Sequence, residues 1–528
     1  MLAIGGAAHG QSGKPGAATS APASVRAGAP VSAPTPPARV DDVEASERSV
    51  VRIVTVAMVR GEVVGFGHGS GFAITPNRIV TNAHVVAEAA DYPDNVVIGI
   101  VPSEGARSYP GRLIHLDRRR DLAIVEIISG RIPPVSIFTG ETAQRETVFA
   151  LGYPGNVDLA TAQNMDDYIR PSSPVASDGI ISSIDQMAGV GVLVHDADIA
   201  RGNSGGPLVD RCGRVLGVNS SISRSDDGDS PFSFAVNVRE IIAMLRDAEQ
   251  SFTAVTTPCV SADEARARNQ ALTAEELRIA TEAAATGRSA RAASDAEELG
   301  KLRASAQSRA ENFMALAFAL FGIAILAGAA SFLYQSQNKP RERRIAMIAG
   351  GGLAAIAILL FMLRPNPADV HLPRSDPLPS ASTGTTTPTQ TYGALTCVVD
   401  RSRGRITVST VDDSALDITP QGCVNGRTQY VRGAGGIWSR TLVPNQDATV
   451  TRISYDPVSR QSTTRRYLLP LDAMEAVRRQ RAAGETPACT ADPEVLAALS
   501  RRETAIATLL PTEPNEEIVS SCAAEAAP

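Results

Sequence analysis

The sequence contains few aromatic residues, few histidines and no cysteine-rich motif, and each shortage excludes a class of protein. Aromatic residues make up 4% of the 528 residues and Trp438 is the only tryptophan, so the cores must consist mainly of Val, Ile, Leu and Ala. The six histidines are scattered without an H-E-x-x-H motif, and none of the six cysteines belongs to a C-x-x-C pair. Because zinc sites usually carry such motifs, we predict neither a metal site nor a cofactor.

The chain also has no excess of basic residues. It contains 50 Lys and Arg against 56 Asp and Glu, which gives a net charge of -6. Nucleic-acid-binding proteins present a strongly basic domain or face, so we exclude nucleic acid as a partner. With 43% hydrophobic and 20% charged residues, the composition is that of a globular protein.

Composition then divides the chain into segments. Residues 1–48 are predicted to hold a short signal-like start and a disordered linker, because 23 of the 30 residues from Gln11 to Val40 are Ala, Gly, Pro, Ser or Thr. In residues 49–250, short runs rich in Val and Ile alternate with Gly, Pro, Asn and Asp. Such spacing is typical of an all-β sandwich or barrel, and we expect a short helix from Val238 to Arg246.

Two uncharged segments follow a predicted helical stalk at residues 261–310, which we expect to be interrupted near Gly287. The segments 313–334 and 345–363 contain 22 and 19 residues. At about 1.5 Å per residue, helices of this length reach roughly 33 and 28 Å, close to a bilayer core of about 30 Å. We predict a two-helix transmembrane hairpin, since neither segment has the polar face that a buried core helix of a soluble protein would show.

The loop between these segments, residues 335–344, contains four basic residues: Lys339, Arg341, Arg343 and Arg344. The positive-inside rule places such a loop in the cytoplasm. Both flanking regions then lie outside, which predicts a protein of the bacterial inner membrane with its large domains in the periplasm. The bilayer is accordingly a predicted partner.

A Pro-, Ser- and Thr-rich linker at residues 364–391 precedes the last predicted domain, residues 392–528. Runs such as Arg405–Val411 and Thr449–Tyr455 predict strands, and Leu471 to Ala483 and Pro493 to Leu510 predict helices. We therefore expect a small α+β domain that contains four of the six cysteines.

Six widely spaced cysteines fit an oxidising compartment, although buried free thiols are the alternative. Six cysteines allow 15 connectivities. Pairing in sequential order is our hypothesis, and it joins Cys212 to Cys259, Cys397 to Cys423, and Cys489 to Cys522.

Three motifs carry candidate chemistry. They are a glycine-rich turn around Ser204 (Gly202 to Leu208), an apolar run ending at His84, and Asp121 immediately before the run Leu122–Val125. A serine hydroxyl is a weak nucleophile until a base takes its proton, and glycines let backbone amides converge on a developing oxyanion. The order His, Asp, Ser is that of chymotrypsin-type enzymes, whereas subtilisins and α/β-hydrolases use other orders.

With these motifs, the region from about Ser49 to Leu245 resembles chymotrypsin-like serine proteases of the HtrA/DegP kind. The resemblance is carried by seven blocks: Gly69–Phe72, Thr81–Val86, Asp121–Val125, Gly152–Pro154, Gly179–Ser182, Gly202–Leu208 and Phe234–Val236. It implies two packed six-stranded β-barrels with the active site in the cleft between them. It also implies a serine endopeptidase acting on protein or peptide substrates, in quality control or processing.

By this resemblance Ser204 is the nucleophile, His84 the general base and Asp121 the residue that orients the imidazole. The amides of Gly202 and Ser204 would form the oxyanion hole. Asp198, six residues before Ser204, lies at the spacing of the primary specificity pocket, where an aspartate selects Arg or Lys. HtrA-like enzymes instead prefer aliphatic residues, and Arg201 could neutralise Asp198.

Alternatives exist for each assignment. His84 could be a core histidine, Asp121 a cap before a strand and Ser204 a turn residue, and Asp117 is a rival acid. His68 and His115 are interpreted as surface or packing residues. The competing class of function is a non-catalytic protein that keeps a protease fold for binding or sensing. The PDZ domain usual in the HtrA family has no counterpart among the sequence motifs, so the family's oligomeric state cannot be transferred.

Overall fold

The computed structural model describes residues 39–222, 232–366, 368, 371, 390–484 and 488–524. The predicted signal-like segment and most of the predicted linkers lie outside these ranges. Residues 42–48, which were assigned to a disordered linker, instead contain the short helix α1 (Asp42–Glu47), and its Val43 side chain is buried. The prediction was wrong here because Asp41 caps the helix and the second barrel covers its apolar face.

The first β-barrel is closed and has six strands in the order β1-β2-β3-β6-β5-β4. A helix, α2 (Ala83–Asp91), connects β3 to β4. The core of this barrel is formed by Val, Ile and Ala side chains such as Ile53, Ile79 and Ile100, as expected for a chain poor in aromatic residues. The strands are β1 (Val50–Val59), β2 (Glu62–Thr75), β3 (Arg78–Thr81), β4 (Val96–Pro102), β5 (Tyr109–Asp117) and β6 (Leu122–Ile127).

The second barrel also closes with six strands, since the ring β11-β8-β9-β10-β13-β12 is completed by pairing of β11 with β12. Two short strands, β7 (Ile137–Phe138) and β14 (Ala254–Val255), extend this sheet from β12. The ring consists of β8 (Thr147–Gly152), β9 (Val175–Met187), β10 (Val190–His195), β11 (Pro207–Asp210), β12 (Val215–Ile222) and β13 (Ser233–Asn237).

One hydrophobic cluster joins the two barrels. It contains Phe72 and Leu122 from the first barrel and Leu151 and Val218 from the second, all fully buried. Two short helices follow β8, namely α3 (Gly155–Thr161) and α4 (Met165–Tyr168), and α5 (Val238–Asp247) closes the region at the position expected for a helix. The fold of this region is the predicted chymotrypsin-like double β-barrel.

A single helix of 75 residues, α6 (Ala262–Ser336), continues from the double-barrel region. It is unbroken at Gly287, so the predicted interruption of the stalk was wrong; an isolated glycine weakens a helix without ending it. Three residues separate the end of α6 from the start of the second apolar helix, α7 (Pro340–Met362), so most of the predicted loop 335–344 is helical.

Both helices contain 18-residue windows with a mean hydropathy of 2.4, of which 6% and 11% is buried in the protein. By length and composition, each is able to cross a membrane. The helices pack closely at Gly350, where an added Cβ would lie 3.3 Å from the Cβ of Ala327. Small residues at this contact are typical of helix pairs in membranes.

The C-terminal domain is built on a nine-stranded sheet with two helices, α8 (Leu471–Ala482) and α9 (Pro493–Ala507). The predicted strand Arg405–Val411 was wrong, because that segment is mostly irregular and wraps around the buried Glu516. The strands are β15 (Gly393–Val399), β16 (Ser414–Ile418), β17 (Cys423–Val424), β18 (Thr428–Gln429), β19 (Val431–Arg432), β20 (Trp438–Leu442), β21 (Thr449–Asp456), β22 (Gln461–Leu468) and β23 (Glu516–Ala524).

Three disulfides link the six cysteines, and only one has the predicted pairing. Cys212 is bonded to Cys259 as expected, but Cys397 pairs with Cys522 and Cys423 with Cys489. Sequential pairing fails because β15 lies next to β23, the last strand of the chain, so that Cys397 is directly opposite Cys522. Cys397 and Cys522 are 125 residues apart in the sequence, and no local sequence pattern indicates that their strands pair.

The C-terminal domain docks onto the protease region beside α1. Arg405 of the C-terminal domain donates hydrogen bonds to Asp42 of α1 and to the carbonyl of Val260. From the double-barrel region to the C-terminal domain, Arg48 donates to the carbonyl of Leu469, and the Ser136 hydroxyl donates to the carbonyl of Val408. The two domains are thus joined although the α6–α7 hairpin separates them in sequence.

Candidate active site

His84 and Asp121 are brought together by strand pairing in the first barrel. His84 lies in the first turn of α2, directly after β3, and Asp121 directly precedes β6. Because β3 and β6 are antiparallel with Thr81 opposite Ala123, the end of one and the start of the other meet at one edge of the barrel. That edge faces the second barrel.

The Asp121 carboxylate holds the imidazole of His84 by its Nδ1 atom. Nδ1 lies 2.9 Å from Oδ2 and 3.1 Å from Oδ1, and the His84 amide donates to Oδ1 at 3.0 Å. Asp121 has a left-handed backbone (φ 52°), which is uncommon for a residue other than glycine. Its carbonyl accepts a hydrogen bond from the Asn82 side chain at 2.8 Å, which helps to hold this conformation.

The electrostatics around Asp121 favour its ionised form. Burial opposes ionisation, but the hydrogen bonds from His84 and from the Ser220 hydroxyl outweigh it and lower the pKa of Asp121. The Ser220 hydroxyl donates to Oδ2 at 2.9 Å. Ser220 was not among the predicted site residues, and its only signal in the sequence is a polar stretch, Asn219 to Ser221, that interrupts an apolar run in β12. An ionised Asp121 stabilises a positive charge on His84.

The rival acid, Asp117, lies elsewhere. Its carboxylate accepts from the backbone amides of Arg119 and Arg120 and from the Arg120 guanidinium at 2.6 Å. These bonds overcome its partial burial and lower the pKa of Asp117. Asp117 therefore stabilises the β5–β6 turn, and Asp121 is the carboxylate beside His84.

Ser204 lies in the loop between β10 and β11 of the second barrel. The Ser70 amide of β2 donates to the Ser204 carbonyl at 2.8 Å, and the Gly205 amide donates to the carbonyl of Asn219 at 2.8 Å. Gly205 has φ 90°, and an added Cβ would overlap the Ser70 carbonyl and the Thr81 hydroxyl. Glycine at this position lets the loop lie directly against the first barrel.

The Ser204 hydroxyl donates to the carbonyl of Ser220 at 2.9 Å. Within the ranges that the structure describes, it makes no hydrogen bond to His84. A rotation about its χ1 torsion would be needed to direct the hydroxyl to the imidazole. Catalytic hydrogen bonds are often long or misaligned without substrate, so this geometry does not exclude Ser204 as a nucleophile.

The two amides predicted to form the oxyanion hole have no hydrogen-bond partner among the residues that the structure describes. Neither the Gly202 amide nor the Ser204 amide donates a hydrogen bond to any described part of the chain. Gly202 has φ 101°, a conformation that favours glycine, and its carbonyl accepts from the Ser70 hydroxyl at 2.6 Å. Both N–H groups are thus free to bind an anionic oxygen.

Asp198 is exposed, and it makes no hydrogen bond or ion pair with any residue in the described ranges. The predicted neutralisation by Arg201 is therefore absent among these residues. Nearby, His195 is fully buried at the end of β10, and burial lowers its pKa to about 4. A neutral histidine and a solvated aspartate thus lie on the segment that leads to Ser204.

Together these groups supply what acyl transfer needs: a hydroxyl nucleophile, a histidine oriented by a carboxylate, and two free amides. The described residues contain no cluster of three or more His, Cys, Asp or Glu side chains that could hold a metal ion.

Comparison with known proteins finds relatives of the region that contains this site. Residues 69–218 match the family model of the trypsin-like peptidase domain. Serine protease Rv3671c of Mycobacterium tuberculosis is 32% identical over 236 residues, which are 44% of this chain and 54% of the relative. Serine endoprotease DegS of Salmonella typhimurium is 30% identical over 156 residues, 29% of this chain and 39% of the relative.

Among solved structures, the active form of the Rv3671c protease from M. tuberculosis is 24% identical, with a TM-score of 0.32, and the match covers 43% of this chain and 96% of that chain. The chain spans about half the length, or less, of the curated relatives that it matches. Residues 69–218 form a trypsin-like peptidase domain, and its relatives are serine proteases that include the HtrA/DegP type.

Proposed function

We propose that this protein is a membrane-anchored serine endopeptidase that hydrolyses peptide bonds in protein substrates of the bacterial cell envelope, in quality control or processing. Ser204 is the nucleophile, His84 the general base and then the general acid, and Asp121 holds the imidazole. The amides of Gly202 and Ser204 bind the oxyanion. The observation that carries the proposal is the oriented His84–Asp121 pair, which faces a serine loop with two amides that have no partner in the described part of the chain.

The chemistry proceeds in two halves. His84 takes the hydroxyl proton as Ser204 Oγ attacks the peptide carbonyl carbon, and the carbonyl oxygen becomes an oxyanion held by the two amides. His84 then gives the proton to the leaving nitrogen, the C–N bond breaks, and an acyl-enzyme remains. Water repeats the sequence: it loses a proton to His84, attacks the ester, and releases the acid and the serine.

The location in the inner membrane is part of the proposal. Contacts such as Arg405–Asp42 support a topology in which the domains on both sides of the α6–α7 hairpin share one side of the membrane. Three disulfides support an oxidising compartment for both domains. The basic residues at the hairpin turn then face the cytoplasm, and the protease domain faces the periplasm.

One observation favours the alternative, a non-catalytic protein that keeps the protease fold. The Ser204 hydroxyl is bonded to the carbonyl of Ser220 instead of His84. In a binding protein this bond would be permanent. In an enzyme it is replaced by a bond to His84 when substrate enters the cleft.

Labelling with a fluorophosphonate probe separates the two possibilities. The activated serine displaces fluoride from phosphorus and becomes covalently tagged. We expect the full-length protein in detergent or vesicles to be tagged at Ser204, and Ser204→Ala to remain untagged. Ser251→Ala, which changes an exposed serine in a loop, is the matched control and should be tagged normally. An untagged parental protein that also fails to cleave unfolded protein substrates would favour the binding function.

A further inference from the structure

A second histidine–carboxylate pair lies behind the Ser204 loop. His68 Nε2 is 3.3 Å from Asp158 Oδ2, and Arg52 Nη2 lies 2.7 Å from Asp158 Oδ1. The side chains of Arg52 and Asp158 are 5% and 9% exposed. These groups come from three elements, since Arg52 is on β1, His68 on β2 and Asp158 on α3. The trio therefore fastens α3 to the first barrel.

The start of α3 in turn fixes one peptide of the Ser204 loop. Gly155, the first residue of α3, donates its amide hydrogen to the carbonyl of Arg201 at 2.6 Å. In a trans peptide, the C=O and the following N–H point in opposite directions. Because the Arg201 carbonyl is held at α3, the Gly202 N–H of the same peptide points away from α3.

The His68 ring and the Tyr153 carbonyl fill the space directly behind this peptide. A Cβ on Gly202 would lie 2.2 Å from the Tyr153 carbonyl oxygen and 2.8 Å from His68 Nε2, and a Cβ on Gly155 would lie 3.3 Å from His68 Cε1. The ring thus lies beside both Gly155 and Gly202. On its other side it meets the Tyr168 ring, with centroids 5.6 Å apart. Removing the ring would open a space into which the Arg201–Gly202 peptide could rotate.

We propose that His68 and Asp158 are positioning residues for the oxyanion hole. Asp158 anchors α3, α3 holds the Arg201 carbonyl, and His68 blocks rotation of the peptide, so that the Gly202 amide stays directed at the reacting carbonyl. Neither side chain touches substrate. This inference rests on the proposed function, because it assumes that the Gly202 amide binds the oxyanion.

Kinetics of His68→Leu and Asp158→Asn test the inference. Losing one oxyanion-hole donor usually costs 10²–10³ in kcat, so misplacing one should lower kcat by roughly 10- to 100-fold. KM should change by less than about 2-fold, because the amide acts mainly on the transition state. His68→Gln, which keeps a polar group of similar reach, should recover most of the loss. His115→Leu changes a half-buried histidine on β5 and is the matched control.

Affinity for a peptidyl boronate provides a second readout, since its tetrahedral adduct with the serine places an oxygen in the hole. In His68→Leu and Asp158→Asn this affinity should fall by about the same factor as kcat. Thermal unfolding identifies folded variants, and the comparison uses folded protein recovered by size exclusion. Folded variants with parental kcat and boronate affinity would overturn the inference. If the parental protein shows no turnover that depends on Ser204, the proposed function itself fails.

Discussion

The protease cleft and the C-terminal domain differ in how far their polar groups are buried and hydrogen-bonded. In the cleft, the His84 side chain is 51% exposed and the amides of Gly202 and Ser204 have no partner in the described chain. In the C-terminal domain, the buried Glu516 carboxylate accepts from the three successive amides of residues 407–409 and from the Ser409 hydroxyl. Arg405 is likewise buried among acceptors that include Asp42.

This difference separates the polar groups that could act on a substrate from those that hold the fold together. A buried charge is tolerated when its hydrogen bonds are made, and losing its partners is costly. Polar groups left without partners at the mouth of a cleft are available for a substrate. Substitutions in the cleft should therefore remove activity and leave stability, and substitutions in the C-terminal domain should do the reverse.

The largest expected effect is on turnover. His84→Ala and Asp121→Asn should lower kcat for peptide hydrolysis by about 10⁴ or more, because one removes the base and the other removes its orienting charge. The free energy of unfolding should change little, since both side chains are partly exposed. Steady-state kinetics with chemical denaturation checks both parts. Near-parental turnover in either variant would contradict the assignment of the pair.

The next effect is on stability in the C-terminal domain. Glu516→Ala leaves the three amides of residues 407–409 without their acceptor and removes the ion-pair partner of Arg466, so the free energy of unfolding should fall by roughly 3 to 5 kcal/mol. Fluorophosphonate labelling of Ser204 should persist in protein that remains folded. Glu513→Ala, which removes an exposed partner of Arg266, is the control and should have a small effect. Equal effects of the two variants would show that the Glu516 network is not structural.

Local features of the molecule could be predicted from the sequence, whereas contacts between distant elements could not. Local periodicity predicted the β1 strand Val50–Val59 and helix α5, and ordered motifs predicted the residues that now lie at the cleft. The Cys397–Cys522 bond could not be predicted, because it depends on pairing between distant strands. Ser220 and the His68–Asp158 pair were missed for the same reason: their partners come from other elements, and no local pattern marks them.

A smaller effect is expected on stability as a function of pH. It comes from His195, which is buried in the protease core, unlike the exposed His84. Burial lowers the pKa of His195 from 6.5 to about 4. Between about pH 4 and 6.5, the His195 imidazole is protonated in the unfolded chain but neutral in the folded chain. The contribution of His195 to stability is therefore full above pH 6.5 and is lost as the pH falls toward 4. The loss should reach about 3 kcal/mol at the acid end of this window.

Thermal unfolding of His195→Gln across pH 4 to 8 measures this contribution. The variant should be less stable than the parent near pH 8, where the packing of the imidazole is lost, and should show a flatter decline below pH 6.5. If parent and variant decline in parallel, the acid sensitivity arises from other groups.

The smallest expected effect is that of Asp198 on specificity. Asp198 lies six residues before Ser204, at the spacing of a pocket floor, but its side chain is exposed and has no partner among the described residues. A carboxylate that selects cations has to be withdrawn from water, and an unpaired carboxylate resists this because desolvation is costly. We therefore expect cleavage after Val, Ala or Leu, as the resemblance to HtrA-like enzymes implies, and the same preference in Asp198→Ala. A library of fluorogenic peptides, assayed with parent and variant, measures it. Preference for Arg or Lys that disappears in Asp198→Ala would place this carboxylate in the pocket, and would add one buried charge to a cleft that otherwise leaves its polar groups open.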